Sequence, residues 1–352
     1  MNALIDSFGR TIDYLRVSVT DRCDFRCTYC MAEEMTFTPK SQLLSLEETN
    51  LIIDAFIELG IKKVRITGGE PLIRRDIDQL LKRVNRNHML EDYTITTNGN
   101  RLDQFAKILK AAGIHRINVS LDTLNAIKFK ALTRTGELNQ VLKGIDCAIK
   151  EGFKNIKLNA VILKGQNDDD ILPLTHFALS KGIDISFIEE MPLGNTNAHN
   201  RNEALCESAE IRSKITEVYK LTPSQFKTGG PSRYWLAEGY ESKIGFISPH
   251  SNNFCSDCNR VRITAVGRLL LCLGNENSQD LRTFMREGAD DQQLTDKLIS
   301  ALQLKPEKHE FDLAEEGRAY VRNHPDYKLY SNENTLSICF NYKRFNVFNS
   351  CI

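Results

Sequence analysis

No run of about 18 apolar residues occurs in this 352-residue chain, so the sequence offers no membrane-spanning helix. The stretch Met1 to Arg10 also lacks the basic and apolar regions of a signal peptide. Net charge is missing too: Lys plus Arg and Asp plus Glu each total 46. That balance excludes the global basic field that drives nonspecific binding to nucleic acid, and any anion site must therefore be local. From these absences we expect a soluble, cytoplasmic protein with no nucleic-acid partner and no membrane partner. What is present is apolar residue in quantity. A hydrophobic content of 41% over this length fills a real core, which excludes a disordered or fibrous chain. It leaves room for one large α/β domain with a smaller appendage.

Cysteine is plentiful. Ten of them in a reducing compartment point to metal ligation or catalysis rather than disulfides, and six fall into two tight groups. Cys147 and Cys206 lie in helical-looking segments and read as small buried hydrophobes; Cys339 and Cys351 lie in the C-terminal tail. We assign those four no chemistry.

A pattern of a helix ending in Gly, then Ile or Phe, then a short β-branched run occurs four times: LGIKKVRIT, AGIHRINVS, EGFKNIKLNAVIL and KGIDISFIE. Gly60, Gly113, Gly152 and Gly182 suit the position just past a helix, where a left-handed conformation carries no Cβ penalty. Leu15 to Val19 and Tyr93 to Thr97 add two strands, and SLEE at Ser45 to Glu48 is a capping box. Six strands alternating with helices predict a parallel sheet curved into a partial or full barrel, of which we expect the partial (β/α)6 form, with ligands at the carboxyl ends of the strands. Those ends collect Thr67 to Pro71, Thr96 to Asn98, Ser120 with Asp122, and Glu189 to Met191. Polar residues from Pro192 to Asn202 read as a loop leaving the repeats. Beyond it we expect a helix near Glu207 to Lys220 and short strands at Arg233 to Ala237, Ile244 to Ser248, Val261 to Val266 and Arg268 to Leu273. Helices near Asp280 to Glu287 and Asp291 to Leu302 complete a smaller mixed region.

The first cysteine group, CDFRCTYC, spaces Cys23, Cys27 and Cys30 as C-x3-C-x2-C after a strand, with no local fourth ligand. A four-iron cluster on three thiolates keeps one iron open to a substrate's amino and carboxylate groups. A zinc site completed by a distant His or Cys is the alternative. The neighbourhood resembles the radical S-adenosylmethionine superfamily, whose cluster motif has this spacing with an aromatic residue, here Tyr29, before the last Cys. The family's glycine-rich turn matches Gly68, Gly69, Glu70 and Pro71.

The second group, FCSDCNRVRITAVGRLLLCLG, places Cys255, Cys258 and Cys272 at C-x2-C-x13-C spacing. A zinc ribbon would need His250 or another fourth ligand. Arg260 and Arg262 follow on one face of a strand, where paired guanidinium forks suit phosphate oxygens; a solvated face is the alternative. Two such trios in one chain resemble the GTP 3′,8-cyclase family of molybdenum cofactor biosynthesis. The likeness runs from GRTIDYLRVSVTDRC through KVRITGGEPLIRRD, TTNG, INVSLD, LNAVILKG and FIEEMPLGN to FCSDCNRVRIT.

That resemblance implies two 4Fe-4S clusters and S-adenosylmethionine as cofactors, on a radical SAM barrel over 7–222 with a second-cluster region over 223–330. Cys23, Cys27 and Cys30 would hold the first cluster and Cys255, Cys258 and Cys272 the second, which binds the guanine end of GTP. Tyr29, Gly69, Ser120 and Met191 fall at its cofactor positions. Arg16, Arg65, Thr96, Lys157, Arg260, Val261 and Arg262 fall at its GTP positions, with Arg260 and Arg262 also near the chemistry. It implies a 5′-deoxyadenosyl radical taking hydrogen from C3′ of GTP, followed by attack on C8 of the guanine. An external one-electron donor, a downstream cyclic pyranopterin monophosphate synthase and a homodimer are the implied partners. The family's chains end in Gly-Gly, whereas this one finishes FNYKRFNVFNSCI after an atypical stretch over 331–352. We expect that departure to touch turnover rather than fold. Two rival readings remain, a two-cluster radical enzyme acting on a peptide or other substrate and a zinc-stapled nucleic-acid-binding module.

Overall fold

Each β-branched run that follows a glycine-ended helix forms a strand, and the first six lie side by side in chain order. β1 (Tyr14–Ser18), β2 (Lys63–Thr67), β3 (Asp92–Thr97), β4 (Arg116–Ser120), β5 (Ile156–Ile162) and β6 (Asp184–Glu189) are all parallel. Between them run α1 (Leu46–Glu58), α2 (Ile77–Val84), α3 (Leu102–Ala111), α4 (Ala126–Thr133), α5 (Leu138–Lys150) and α6 (Ile171–Lys181). Of the partial and full barrels that the repeats allow, this is the partial TIM-type one. The computed structural model describes residues 4–32, 34–87, 89–191, 200–251, 254–275 and 277–309, together with the backbone of strands Asp312–Leu313 and Ala319–Tyr320. The 331–352 tail, with Cys339 and Cys351, lies outside the described residues, as does most of the Pro192 to Asn202 loop.

Local signals act as read. Ser45 caps α1 through a full capping box, its hydroxyl accepting from Glu48 N while the Glu48 carboxylate accepts from Ser45 N. Gly60, Gly113, Gly152 and Gly182 all take positive φ, between 67° and 101°. The polar run differs from expectation at its end: Asn200 accepts a hydrogen bond from Asn202 N and so caps a short helix, α7 (Arg201–Ala204). Cys206 lies fully buried between α7 and α8 (Ser208–Thr216) rather than inside a helix, and Cys147 sits half-buried on α5.

The later strands are β7 (Leu221–Pro223), β8 (Arg233–Ala237), β9 (Lys243–Ile247), β10 (Arg260–Ile263), β11 (Arg268–Leu270) and β12 (Ser278–Asp280). They dock on both edges of the six-stranded core. β9 pairs parallel with β6, and β10 pairs parallel with β1; β8, β7, β11 and β12 extend those edges antiparallel. α9 (Leu281–Arg286) and α10 (Asp291–Leu302) follow, the latter with a capping box on Asp290.

Alternation divides the two faces of this sheet. Leu15, Val17, Val64, Ile66, Ile95, Ile117, Leu158, Phe187, Val261 and Ile263 pack with α1 to α6 in the main core. The other set on the same strands is also buried yet polar: Arg16, Ser18, Arg65, Thr94, Asn118, Lys157, Asn159, Ser186, Arg260 and Arg262. A TIM barrel normally fills its interior with layers of branched apolar side chains. An interior lined with cations and amides is built to receive a polar ligand.

Candidate functional site

The first cysteine group sits in the loop after β1, and the loop is held by its neighbours' backbone. Gly69 N donates to Thr20 O at 2.7 Å and Glu70 N donates to Arg22 O at 2.7 Å. A Cβ on Gly69 would lie 2.1 Å from Arg22 O. These glycines therefore make room first for the cysteine loop itself, a tighter requirement than the ligand approach that the motif suggests. The buried Glu70 carboxylate accepts from Leu72 N, Thr97 Oγ1 and Asn98 N at 2.9, 2.8 and 2.6 Å, locking the ends of β2 and β3 together. Asn98 Nδ2 reaches Asp24 Oδ1 at 2.7 Å and Cys23 Sγ at 3.7 Å. From the other side, Thr133 O and Leu132 O at the end of α4 accept from Arg26 N and Thr28 N, each at 2.9 Å.

Cys23, Cys27 and Cys30 line one cavity with Tyr29, Gly69, Thr96 and Ser120, so the first trio, three of the four predicted cofactor positions and one GTP position share a chamber. Met191, the fourth, packs in one apolar cluster with Tyr29, Cys27, Cys30 and Phe254. Tyr29 is oriented by Asp122, whose carboxylate accepts from its hydroxyl at 2.7 Å and from Val161 N at 2.9 Å. Burial pushes the Asp122 carboxyl up to about 6. Burial, then Glu70, pushes the Cys23 thiol up, and burial, then Cys30 and Asp122, does the same to Cys27. A metal's positive charge is what would ionise them.

At the second group, Cys258 N donates to Cys255 O at 3.1 Å in a tight turn. Burial raises the Cys258 thiol, but Arg260, Lys305 and Arg262 outweigh it and bring the group down to about 6, favouring a thiolate ligand. His250, the sequence candidate for a zinc ligand, has its Nε2 against Glu190 O at 2.8 Å. Among the described residues, no three His, Cys, Asp or Glu side chains converge on a single metal ion. Each trio supplies three cysteine sulfurs not joined in disulfides, a donor set that a four-iron cluster accepts with one thiolate per iron. Phe254, next to Cys255, touches the same apolar cluster as Cys27 and Cys30, and the Arg260 guanidinium stacks over it at 5.2 Å.

The cations stand on the polar, inward face of the same strands. Arg262 on β10 pairs in register with Arg16 on β1, and Arg16 with Arg65 on β2, so three guanidinium groups stand on neighbouring strands. Arg16, Arg65, Lys157, Arg260 and Arg262 are each 3–6% exposed. The partners observed around them include neutral groups and rings. With the Asn118 amide turned so that its oxygen faces the guanidinium, Arg65 donates to it at 3.0 and 3.1 Å; Lys157 donates to Tyr234 Oη at 3.3 Å, and the Tyr14 ring lies 5.7 and 5.5 Å from Arg16 and Arg65. Burial first, then Arg65 and Arg262, holds the Arg16 guanidinium well below its ordinary value. Nε of Arg65, Nε of Arg260 and Oδ1 of Asn159 are buried without a hydrogen-bond partner. Such an array is stabilised by a polyanion carrying acceptor oxygens.

Val261 points to the apolar core between the two arginines, so only its backbone can face the chamber. Tyr14, Asn118, Asn159, Tyr234 and Lys305 were not singled out from the sequence as site residues, and Asp122 was placed at a strand end without a role. The polar residues that alternate with apolar ones in RINVS and IKLNAVI were a usable signal for Asn118 and Asn159. Tyr234 and Lys305 had none.

Residues 17–178 match the Radical SAM superfamily and residues 183–311 match Molybdenum Cofactor Synthesis C. The chain is similar to the GTP 3′,8-cyclase of Saccharophagus degradans, 56% identical over 316 residues, 90% of this chain and 96% of that one. It is similar to GTP 3′,8-cyclase 2 of Pseudomonas aeruginosa, 56% identical over 314 residues, 89% of this chain and 95% of the other. Among solved structures it resembles Streptococcus suis SuiB bound to S-adenosylmethionine, with a TM-score of 0.57 at 19% identity, covering 85% of this chain and 73% of SuiB. At that identity the likeness speaks for the fold.

Proposed function

The chain belongs to the GTP 3′,8-cyclase family of radical SAM proteins, and from that membership we propose that it cyclises GTP to (8S)-3′,8-cyclo-7,8-dihydroguanosine 5′-triphosphate, an early step of molybdenum cofactor biosynthesis. The observation that carries the reading is the buried cation array on β10, β1, β2 and β5, in one barrel with the first cysteine trio. A peptide substrate offers no comparable charge to that array, while the tail of a nucleoside triphosphate does.

Cys23, Cys27 and Cys30 would hold one four-iron cluster, and Cys255, Cys258 and Cys272 a second. When bound, the clusters and S-adenosylmethionine supply the one-electron chemistry that yields a carbon radical and an open iron for the guanine. The chain's own residues bind and orient. Gly69 offers backbone, Ser120 its hydroxyl, and Tyr29 and Met191 their apolar bodies to the cofactor. Arg16, Arg65, Lys157, Arg260 and Arg262 fix the triphosphate, with Thr96 at the cavity between the two ligands. Holding two reactants in one geometry is worth about 7 to 11 kcal/mol of a barrier. The apolar layer between sheet and helices closes the chamber on its outer side. The reading calls for an external one-electron donor and, downstream, a cyclic pyranopterin monophosphate synthase, in the cytoplasm. No described helix is long and apolar enough to cross a membrane.

Anaerobic turnover with GTP and S-adenosylmethionine, scored for 5′-deoxyadenosine and for a cyclised nucleotide, tests the proposal. We expect both products from brown protein carrying about eight irons. Cys27→Ser should abolish deoxyadenosine formation, and Cys258→Ser should abolish the nucleotide product while uncoupled cofactor cleavage persists. Deoxyadenosine formed without any dependence on GTP would refute the substrate assignment.

A further inference from the structure

The segment after α10 carries groups that the function proposed above leaves unused. Past Leu302, residues 305–309 run against the second cysteine group. Lys305 is only 2% exposed. Its ammonium donates to Arg260 O at 3.0 Å and to Leu271 O, and stands 3.7 Å from Cys258 Sγ. Those carbonyls lie just after Cys258 and just before Cys272, so one buried cation ties together both arms of the trio. Further along, His309 N donates to Cys255 Sγ at 3.4 Å. Arg10 clamps the segment: its Nη2 donates to Pro306 O at 2.7 Å, and its Nη1 to Glu307 O at 2.7 Å and Cys255 O at 2.9 Å. Burying an ammonium is costly unless its charge is answered. The two carbonyls satisfy two of its three donors but carry no charge; a thiolate at Cys258 answers the third.

We infer that Lys305 is a positioning residue for the metal centre of the second trio, ordering the thiolates and raising the reduction potential of the cluster they hold. Reduction adds negative charge, so a fixed cation and an N–H···S bond at one ligand favour the reduced state over the oxidised one. The inference rests on the reading that Cys255, Cys258 and Cys272 bind a cluster.

The test uses the full-length chain, reconstituted anaerobically, with Cys23, Cys27 and Cys30 replaced by Ala so that only the second trio loads iron. Potentiometric titration followed by electron paramagnetic resonance is compared for Lys305, Lys305→Met and Lys305→Gln. The Met variant should shift to more negative potential by about tenfold in the reduction equilibrium, about 59 mV for a one-electron couple. Gln, which keeps an N–H donor without the charge, should fall between. Iron loading lost in Met and restored in Gln would support the ordering role. Unchanged potentials in both variants would overturn the inference, as would loss of iron in both with a lowered melting midpoint of the apo chain, because Lys305 would then only pack. Failure of the two-cluster reading is recognised separately: the background chain with Lys305 intact would bind no iron at all.

Discussion

Replacing Arg16 by Met should move stability and ligand affinity in opposite directions. Arg16 stands between Arg262 and Arg65 on adjacent strands, 3% exposed. Strand spacing of about 4.8 Å puts like charges about 6 Å apart, where an effective dielectric of about 20 gives a repulsion of about 3 kcal/mol per neighbour. Solvent in the open chamber and the loss of the Tyr14 ring contact reduce the gain. Replacing buried ion pairs by apolar side chains of similar volume is neutral or stabilises other proteins by about 1–4 kcal/mol, and with like charges as neighbours we expect the lower half of that range here. The melting midpoint of the apo chain should therefore rise by a few degrees. GTP loses one charge-assisted contact worth about 1.5–3 kcal/mol, which weakens binding by about tenfold to a hundredfold or more. At GTP equal to about 100 times the wild-type Kd, ligand stabilises the parent by about 2.7 kcal/mol, and a variant weakened a hundredfold by about 0.4 kcal/mol. Thermal denaturation with and without GTP reads both effects in one experiment. A less stable apo variant that keeps the full GTP shift would refute the reasoning, since Arg16 would then be structural.

Gly69→Ala places a methyl 2.1 Å from Arg22 O and should displace the cysteine loop, losing about four irons and cofactor cleavage while the apo chain still binds GTP; unchanged iron content would refute this. Asp122 has its folded pKa raised to about 6, above its unfolded value near 3.9, so the folded apo chain holds the extra proton and loses stability as pH rises through that window. Asp122→Asn should flatten the melting midpoint between about pH 4 and 6, and an unaltered pH profile would count against a carboxyl titrating there.

The parts of the fold that could be read from sequence are those that local chemistry specifies. Four glycines past helix ends, one capping box at Ser45 and β-branched runs of matching length gave the six core strands within a residue or so. Both cysteine trios were legible in their spacing and Arg260 with Arg262 in strand alternation, whereas Arg16, Arg65 and Lys157 were named only through the resemblance. What was missed depends on contacts remote in sequence. Nothing in VRITAV announces that it lies beside Tyr14–Ser18, because a parallel strand pair with so long a connection leaves no trace in local periodicity. Arg260 and Arg262 had therefore to be weighed against a solvated face, and only their position next to β1 shows them buried. Lys305 was invisible for the same reason: a lone lysine after a polar helix reads as surface until the strands beneath it are known.

Extension of the sheet on this edge of the barrel also decides which residues face its interior. Asp13, just before β1, accepts from Lys63 Nζ at 2.8 Å through one carboxylate oxygen and from Asn259 Nδ2 at 2.6 Å through the other. Its backbone N donates to Asn259 O at 3.2 Å, while its own carbonyl accepts from Lys63 N at 3.0 Å. Asn259 follows Cys258 directly, so this clasp aligns β10, β1 and β2 next to the second cysteine group. Side chains alternate along a strand, and a slip of one residue in β10 would turn Arg260 and Arg262 into the apolar layer and bring Val261 and Ile263 inside. Burying two guanidinium groups among helices is far worse than burying them beside a polyanion site, so the register is selected by the same charges that the ligand requires. This edge of the barrel and its anion site are thus one arrangement, with Cys258 two residues before the strand that makes both.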